Sequence, residues 1–152
     1  MLVLTFSVGP MRFALPLQRV RQIVPNVSLR SSAGMNNGIA GLLELGNTIV
    51  PVVDLGSRFR GEPCARCLST RIVLVRTWHE AEEVVLGLIA ENVTDLCSTD
   101  HDLTIDQSES EKVGLSGVTR VNGEIVQWLD VGSILSSDQR IRVYQEILAQ
   151  AL

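Results

Sequence analysis

The sequence predicts an all-β protein made of two related halves that share one hydrophobic core. Three observations predict it. Short aliphatic runs alternate with Gly, Pro and Asn turn signals along most of the chain, the spacing of small barrels or sandwiches. The stretch Ile49-Val50-Pro51-Val52-Val53-Asp54-Leu55-Gly56-Ser57 recurs as Ile125-Val126-Gln127-Trp128-Leu129-Asp130-Val131-Gly132-Ser133, and a turn dipeptide precedes each copy. Finally, 45% of the residues are hydrophobic but only 4% aromatic, so the core must be Val, Leu and Ile, and the β-branched members favour strands.

The elements follow in order. Val3 to Val8 forms a strand, and Gly9-Pro10 turns the chain. Arg12 to Leu17 forms a second strand, whose Pro16 puts it at an edge or a bend. Val20 to Val24 is a third, ended by Pro25. Ser31 to Gly38 is small and polar, hence a loop. Ile39 to Leu45 and Thr48 to Leu55 flank Gly46-Asn47, a two-residue hairpin loop with Gly first, as a type II′ turn prefers. Gly117–Val121 and Glu124–Val131 flank Asn122-Gly123, the type I′ counterpart. Upstream, Phe13 to Ile23 reads against Leu86 to Leu96, and Val3 to Val8 against Ile72 to Thr77, so each half holds about five short strands. Such a half is too small to bury a good core alone, which predicts a shared one. The halves run roughly over 1–60 and 70–135, in one domain spanning 1–152, with the polar stretch Gly56 to Ser69 between them. Ser98 to Lys112 is acidic and reads as an exposed loop. Ser136-Ser137-Asp138 offers N-cap residues for a short C-terminal helix over 136–152, with Ile141, Tyr144, Leu148 and Leu152 on one face.

Composition excludes several function classes. At 152 residues the chain can bury a sizeable core, and 20% charge is ordinary for a globular protein. A net charge of −4 with few aromatics argues against nucleic-acid binding. No apolar run approaches the ~20 residues that a membrane span needs, so direct membrane insertion is not expected. The apolar start lacks a positive leader region and reads as a strand. Cys64, Cys67 and Cys97 make an odd set, which fits a reducing compartment and a cytoplasmic location.

Candidate chemistry is sparse. Cys64-Ala65-Arg66-Cys67 has the spacing of a redox couple or half a zinc site, with Cys97 and His101 as further ligands, but it lies in a Pro/Arg loop. His79 and His101 lack a nucleophile elbow, since Gly114-Leu115-Ser116-Gly117 does not have the required pattern. Asp100, Asp102, Thr104 and Glu111 partly match a calcium loop, but Ile105 stands where Gly is required. Asp54 and Asp130, each at a strand end, suit capping of a turn by the carboxylate. No catalytic residue, metal or cofactor is expected.

Phe13-Ala14-Leu15-Pro16-Leu17, Val20-x-x-Ile23, Gly41 to Leu45, Ile49-Val50-Pro51-Val52-Val53-Asp54-Leu55, Leu86-Gly87-Leu88, Asn92-Val93 and Gly117 to Leu135 stand in an order that resembles the CheW family of chemotaxis coupling proteins. The resemblance runs from about Val3 to Leu135. It implies an all-β fold of two five-stranded SH3-like barrels around a common core. It also implies a non-enzymatic adaptor between the cytoplasmic tips of chemoreceptors and the regulatory domain of a CheA-type histidine kinase, reaching the membrane only through receptor complexes. The family's Leu-Arg-Gly-Glu is here Leu45-Gly46-Asn47-Thr48, so Gly46 replaces the Arg of the partner-facing surface. The usual Val-Asp of the second half is here Ala90-Glu91. Partner contact is expected from exposed apolar residues beside the Gly46-Asn47 turn: Ile23, Val24, Leu45, Gly46, Asn47 and Val50, with Val93 on the matching strand of the second half. Two alternatives stay open. One is a metal- or redox-responsive module using Cys64 and Cys67. The other is a divergent CheW-like protein of a motility pathway other than flagellar chemotaxis.

Overall fold

The structure is a computed structural model and describes residues 1–31, 39–79, 81–99 and 115–134. The expected C-terminal helix over 136–152, the acidic loop beyond Thr99 with its calcium-like spacing, His101 and Ser32 to Gly38 all lie outside the described residues.

The described chain is mostly strand, with one short helix. It runs β1 (Leu2–Val8), β2 (Met11–Pro16), a 3-10 turn (Leu17–Arg19), β3 (Val20–Pro25), β4 (Gly41–Leu45), β5 (Thr48–Asp54), α1 (Leu55–Arg60), β6 (Arg71–His79), β7 (Glu82–Ser98), β8 (Leu115–Val121) and β9 (Glu124–Leu129), then a 3-10 turn (Val131–Ser133). Two five-stranded layers emerge from the pairing. One has the order β4-β5-β7-β6-β3, with β5 parallel to the first part of β7. The other has the order β8-β9-β2-β1-β7, with β2 parallel to β9 and β1 antiparallel to the second part of β7. In the first layer the chain after β3 returns to β4: Arg30 and Leu42 exchange two backbone hydrogen bonds of 2.9 and 2.7 Å, which brings the layer round towards a barrel.

The layers do not coincide with the two sequence halves. The β4-bearing layer takes β3, β4 and β5 from the first half but β6 and the start of β7 from the second, and the other layer shows the mirrored exchange. The division expected at 1–60 and 70–135 therefore marks the repeat and not the sheets. The cause lies in β7. The first half breaks after β2, where Pro16 has no N–H to offer a ladder, and a 3-10 turn follows. The second half has no proline there. Its strand runs on for 17 residues and changes partner from β6 to β1 at Glu91. Asn92 takes the bend with a φ of 51°, a conformation Asn adopts more readily than most residues.

Strands buried on both faces explain the long aliphatic runs. Alternate residues serve different cores. Leu4, Phe6, Phe13, Leu15, Val53, Val73, Val75, Leu86 and Leu88 meet in a core between the layers. Val50, Val52, Ile72, Leu74 and Ile89, from the intervening positions, fill the β4-bearing layer, while Val3, Ala14, Val121 and Val126 fill the other. Gly87 sits where β5 and β6 flank β7 closely: a Cβ there would lie 2.8 Å from Val52 Cγ2 and 3.1 Å from Ile72 Cγ2.

Both hairpin turns follow their dipeptides. Gly46 has a φ of 58° and Asn47 stays at negative φ, as the type II′ reading requires. Asn122 and Gly123 are both at positive φ, 50° and 79°, as type I′ requires. The stretch after Asp54, expected as a polar connection, instead begins with helix α1. Asp54 caps its start, Gly61 ends it at a φ of 74°, and Phe59 stacks on Phe13 with ring centroids 5.4 Å apart.

Candidate functional site

The surface to consider is the end of the β4-bearing layer where the connection between the halves crosses it. The Asp54 carboxylate organises this end. Its Oδ1 accepts from Ser57 N at 3.1 Å, capping α1, and from Cys64 N at 3.1 Å, while Oδ2 accepts from Cys64 N at 3.3 Å. One buried acid thus ties strand, helix and connection together. Gly56 permits the crossing, because a Cβ there would lie 2.5 Å from Glu62 O and 2.7 Å from Cys64 N. Asp130 accepts from Gly132 N at 3.0 Å at the matching place in the repeat.

Glu91 holds the next part of the connection. Its Oε1 accepts from Gly9 N at 2.6 Å and its Oε2 from Ala65 N at 2.9 Å. Residues 65–70 then form a compact loop. Thr70 Oγ1 donates to Ala65 O at 2.6 Å, Thr70 N donates to Cys67 O at 3.0 Å, and Val93 N donates to Ser69 O at 3.0 Å. The loop, the segment after β3 and the ends of β3 and β5 enclose a cleft of about 1200 Å³. Val24, Leu29 and Ile89 line its apolar part, and Arg66 and Arg71 its polar part.

The cysteines have separate environments. Cys64 is buried, and its thiol donates to Ile89 O at 3.4 Å. Burial first, and the nearby Asp54 second, push that thiol from an ordinary 9.0 up to about 12, so it stays protonated and inert. Cys67 is exposed, and contacts with the Ser69 and Thr70 hydroxyls at 3.4 and 3.3 Å lower its pKa. Cys97 lies in the other layer, paired with Val3. Among the described residues no three His, Cys, Asp or Glu side chains gather to hold a metal ion. The Cys-x-x-Cys spacing thus joins one protonated, buried thiol to one exposed thiol.

The residues expected to meet a partner fall into three groups. Ile23 and Val24 are half-buried and line the cleft. Gly46 and Asn47 are exposed at the β4–β5 turn, with half-buried Leu45 beside them, at the opposite end of β5 and about 20 Å away for a strand of seven residues. Val50 and Val93 do not present their side chains. Each is 1% exposed, Val50 inside the β4-bearing layer and Val93 in the core between the layers, because the strand alternation turns both inward. Sequence reasoning missed Leu68, which is 95% exposed, and Val27, 47% exposed, both lining the cleft. The available signal was an unaccompanied leucine in a polar connection.

Two five-stranded layers around a common core, joined by a shared strand and carrying capped turns where the repeated acids lie, define a two-layer β scaffold with a CheW-like fold. The CheW-like domain model matches residues 2–139, and the chain belongs to that family. The scaffolding protein TtCheW from Thermoanaerobacter tengcongensis has a similar crystal structure. The TM-score is 0.75 at 19% sequence identity, over 91% of this chain and 89% of that one. A sequence comparison with curated proteins returned no match. Among the described residues no helix is long and apolar enough to cross a membrane.

Proposed function

We propose that this chain is a non-enzymatic adaptor of a bacterial chemosensory pathway. It couples the cytoplasmic tips of chemoreceptors to the regulatory domain of a CheA-type histidine kinase, and it reaches the membrane only through them. The observation that carries this reading is the CheW-like match over residues 2–139. The site chemistry agrees with it. Asp54, the repeated acid nearest the cleft, spends its oxygens on backbone amides, which suits a structural and not a catalytic carboxylate.

Gly46 gives the reading its particular form. The family's Arg is absent, and the turn that replaces it puts a glycine at positive φ with open space around it. Recognition at this turn then rests on the backbone and on Asn47, with half-buried Leu45 beside them. A partner adapted to that surface differs from one that reads the family's Arg, which favours a second reading: a CheW-like protein of a motility pathway other than flagellar chemotaxis. The test is a pull-down with the purified chain against the kinase regulatory domain and receptor tip encoded beside it, and against those of a flagellar system. Binding the first set and not the second is the expected result. Binding neither set refutes the adaptor reading.

A further inference from the structure

The cleft beneath residues 63–71 combines three properties that the Gly46–Asn47 turn lacks. Its wall is apolar, formed by Val24, Leu29 and Ile89. At its lip stands Leu68, 95% exposed. A leucine that is almost entirely in water gains from any apolar cover. The loop that presents it is already fixed by the Thr70 and Ser69 hydrogen bonds and by Glu91 on Ala65 N, so little ordering is lost when a partner covers it.

Charge gives the third property. The chain carries a net −4, yet this lip is cationic. Arg12, Arg30, Arg60 and Arg76 each lie within 4.0 Å of a glutamate. Arg66 and Arg71, both exposed and both lining the cleft, have no carboxylate partner among the described residues. The carboxylate in the lining is Asp54, whose oxygens already accept from Ser57 N and Cys64 N. Two unpaired guanidiniums beside an apolar wall match an acidic segment that also carries large apolar side chains.

We infer that this cleft is a second docking surface, which takes an acidic peptide segment of a partner protein, anchored by apolar residues against Leu68, Val24 and Leu29 and held by Arg66 and Arg71. It rests on the adaptor reading only in supposing a protein partner, and its test uses no chemosensory component. Three fluorescein-labelled synthetic peptides serve as probes. They share the same leucine anchors, flanked by Glu, Gln or Lys, and their binding to the full chain is read by fluorescence anisotropy. The Glu peptide should bind about 5- to 10-fold more tightly than the Gln peptide at low salt, the gain that two exposed ion pairs supply, and the gap should narrow in high salt. Replacing both arginines (R66E with R71E) should reverse the order in favour of the Lys peptide. Leu68→Asp should weaken the Glu peptide about tenfold, as loss of a central anchor does. All three side chains are exposed, so melting curves of the variants should overlay that of the parent chain. Equal affinity for the three peptides, no binding of any, or a Glu preference that survives R66E with R71E overturns the proposal. The pull-down described above reports on the adaptor reading independently.

Discussion

Replacing Asp54 with Ala should remove the clamp at the end of β5 in one step. Two contributions are lost. The first is the N-cap of α1, where Ser57 N loses its acceptor, at a cost of about 1 kcal/mol. The second is the acceptor for Cys64 N, a buried amide that then lacks a partner, which costs roughly 1–3 kcal/mol. Together they predict a loss of about 2–4 kcal/mol. For a chain of this size each kcal/mol moves the melting temperature by about 2–4 °C, so Asp54→Ala should melt roughly 5–15 °C lower. Asp54→Asn separates this account from a general charge effect. It keeps an oxygen where Oδ1 now accepts from both amides, and it should recover most of the loss. Urea unfolding followed by circular dichroism, with the slope checked for constancy, measures both variants. The reasoning fails if Asp54→Ala costs less than about 0.5 kcal/mol, or if Asp54→Asn is as damaging as Asp54→Ala.

Other predictions follow from single contacts. Thr5 is 1% exposed and its hydroxyl has no partner among the described residues, so the near-isosteric Thr5→Val should stabilise the chain by about 1 kcal/mol in the same urea experiment. Gly87→Ala should cost about 1–3 kcal/mol, because the added methyl collides with Val52 and Ile72. Cys67 should react with a thiol reagent in the native protein, at a rate that rises with pH below the ordinary thiol range, while Cys64 reacts only on unfolding. The same raised Cys64 value has a stability consequence. The unfolded thiol releases its proton near 9.0 and the folded one near 12, so this thiol's contribution is intact below pH 9 and fades as pH rises towards 12. Cys64→Ala should flatten that decline in alkaline unfolding curves. Gly46→Arg restores the family's charge but places a side chain at a φ of 58°, so it should lower stability by about 1 kcal/mol even if it strengthens coupling in a pull-down.

Much of the fold was legible because strand periodicity and turn chemistry are local. Gly46-Asn47 and Asn122-Gly123 announced their turn types by which position holds a residue tolerant of positive φ. The repeated Asp before Leu-Gly-Ser or Val-Gly-Ser announced its capping role, since a carboxylate reaches amides two or three residues ahead. What stayed hidden depends on distant partners. Nothing near Glu91 says that β7 leaves β6 for β1, because that choice is made by strands some 20 to 90 residues away. The site was less legible still. Val50 and Val93 carry apolar side chains, as a docking surface would, but so does a core, and only the layer packing separates the two. The amide partner of Asp54 at Cys64 belongs to a connection with no periodic pattern at all. Leu68 was visible as a letter, yet its exposure follows from how Thr70 and Ser69 fold the loop back.

The exchange of strands between layers has a bearing on how such a chain can be divided or inherited. A repeat usually suggests that either copy could stand alone. Here neither could: a fragment ending in the connection would carry β1 and β2 without β7 and β9, and β5 without β7, so both sheets would be left with raw edges. The two copies are interlocked like clasped hands, and a cut chain regains its shape only when both fragments are present together. Such interlocking tolerates differences in sequence between the copies but not their separation.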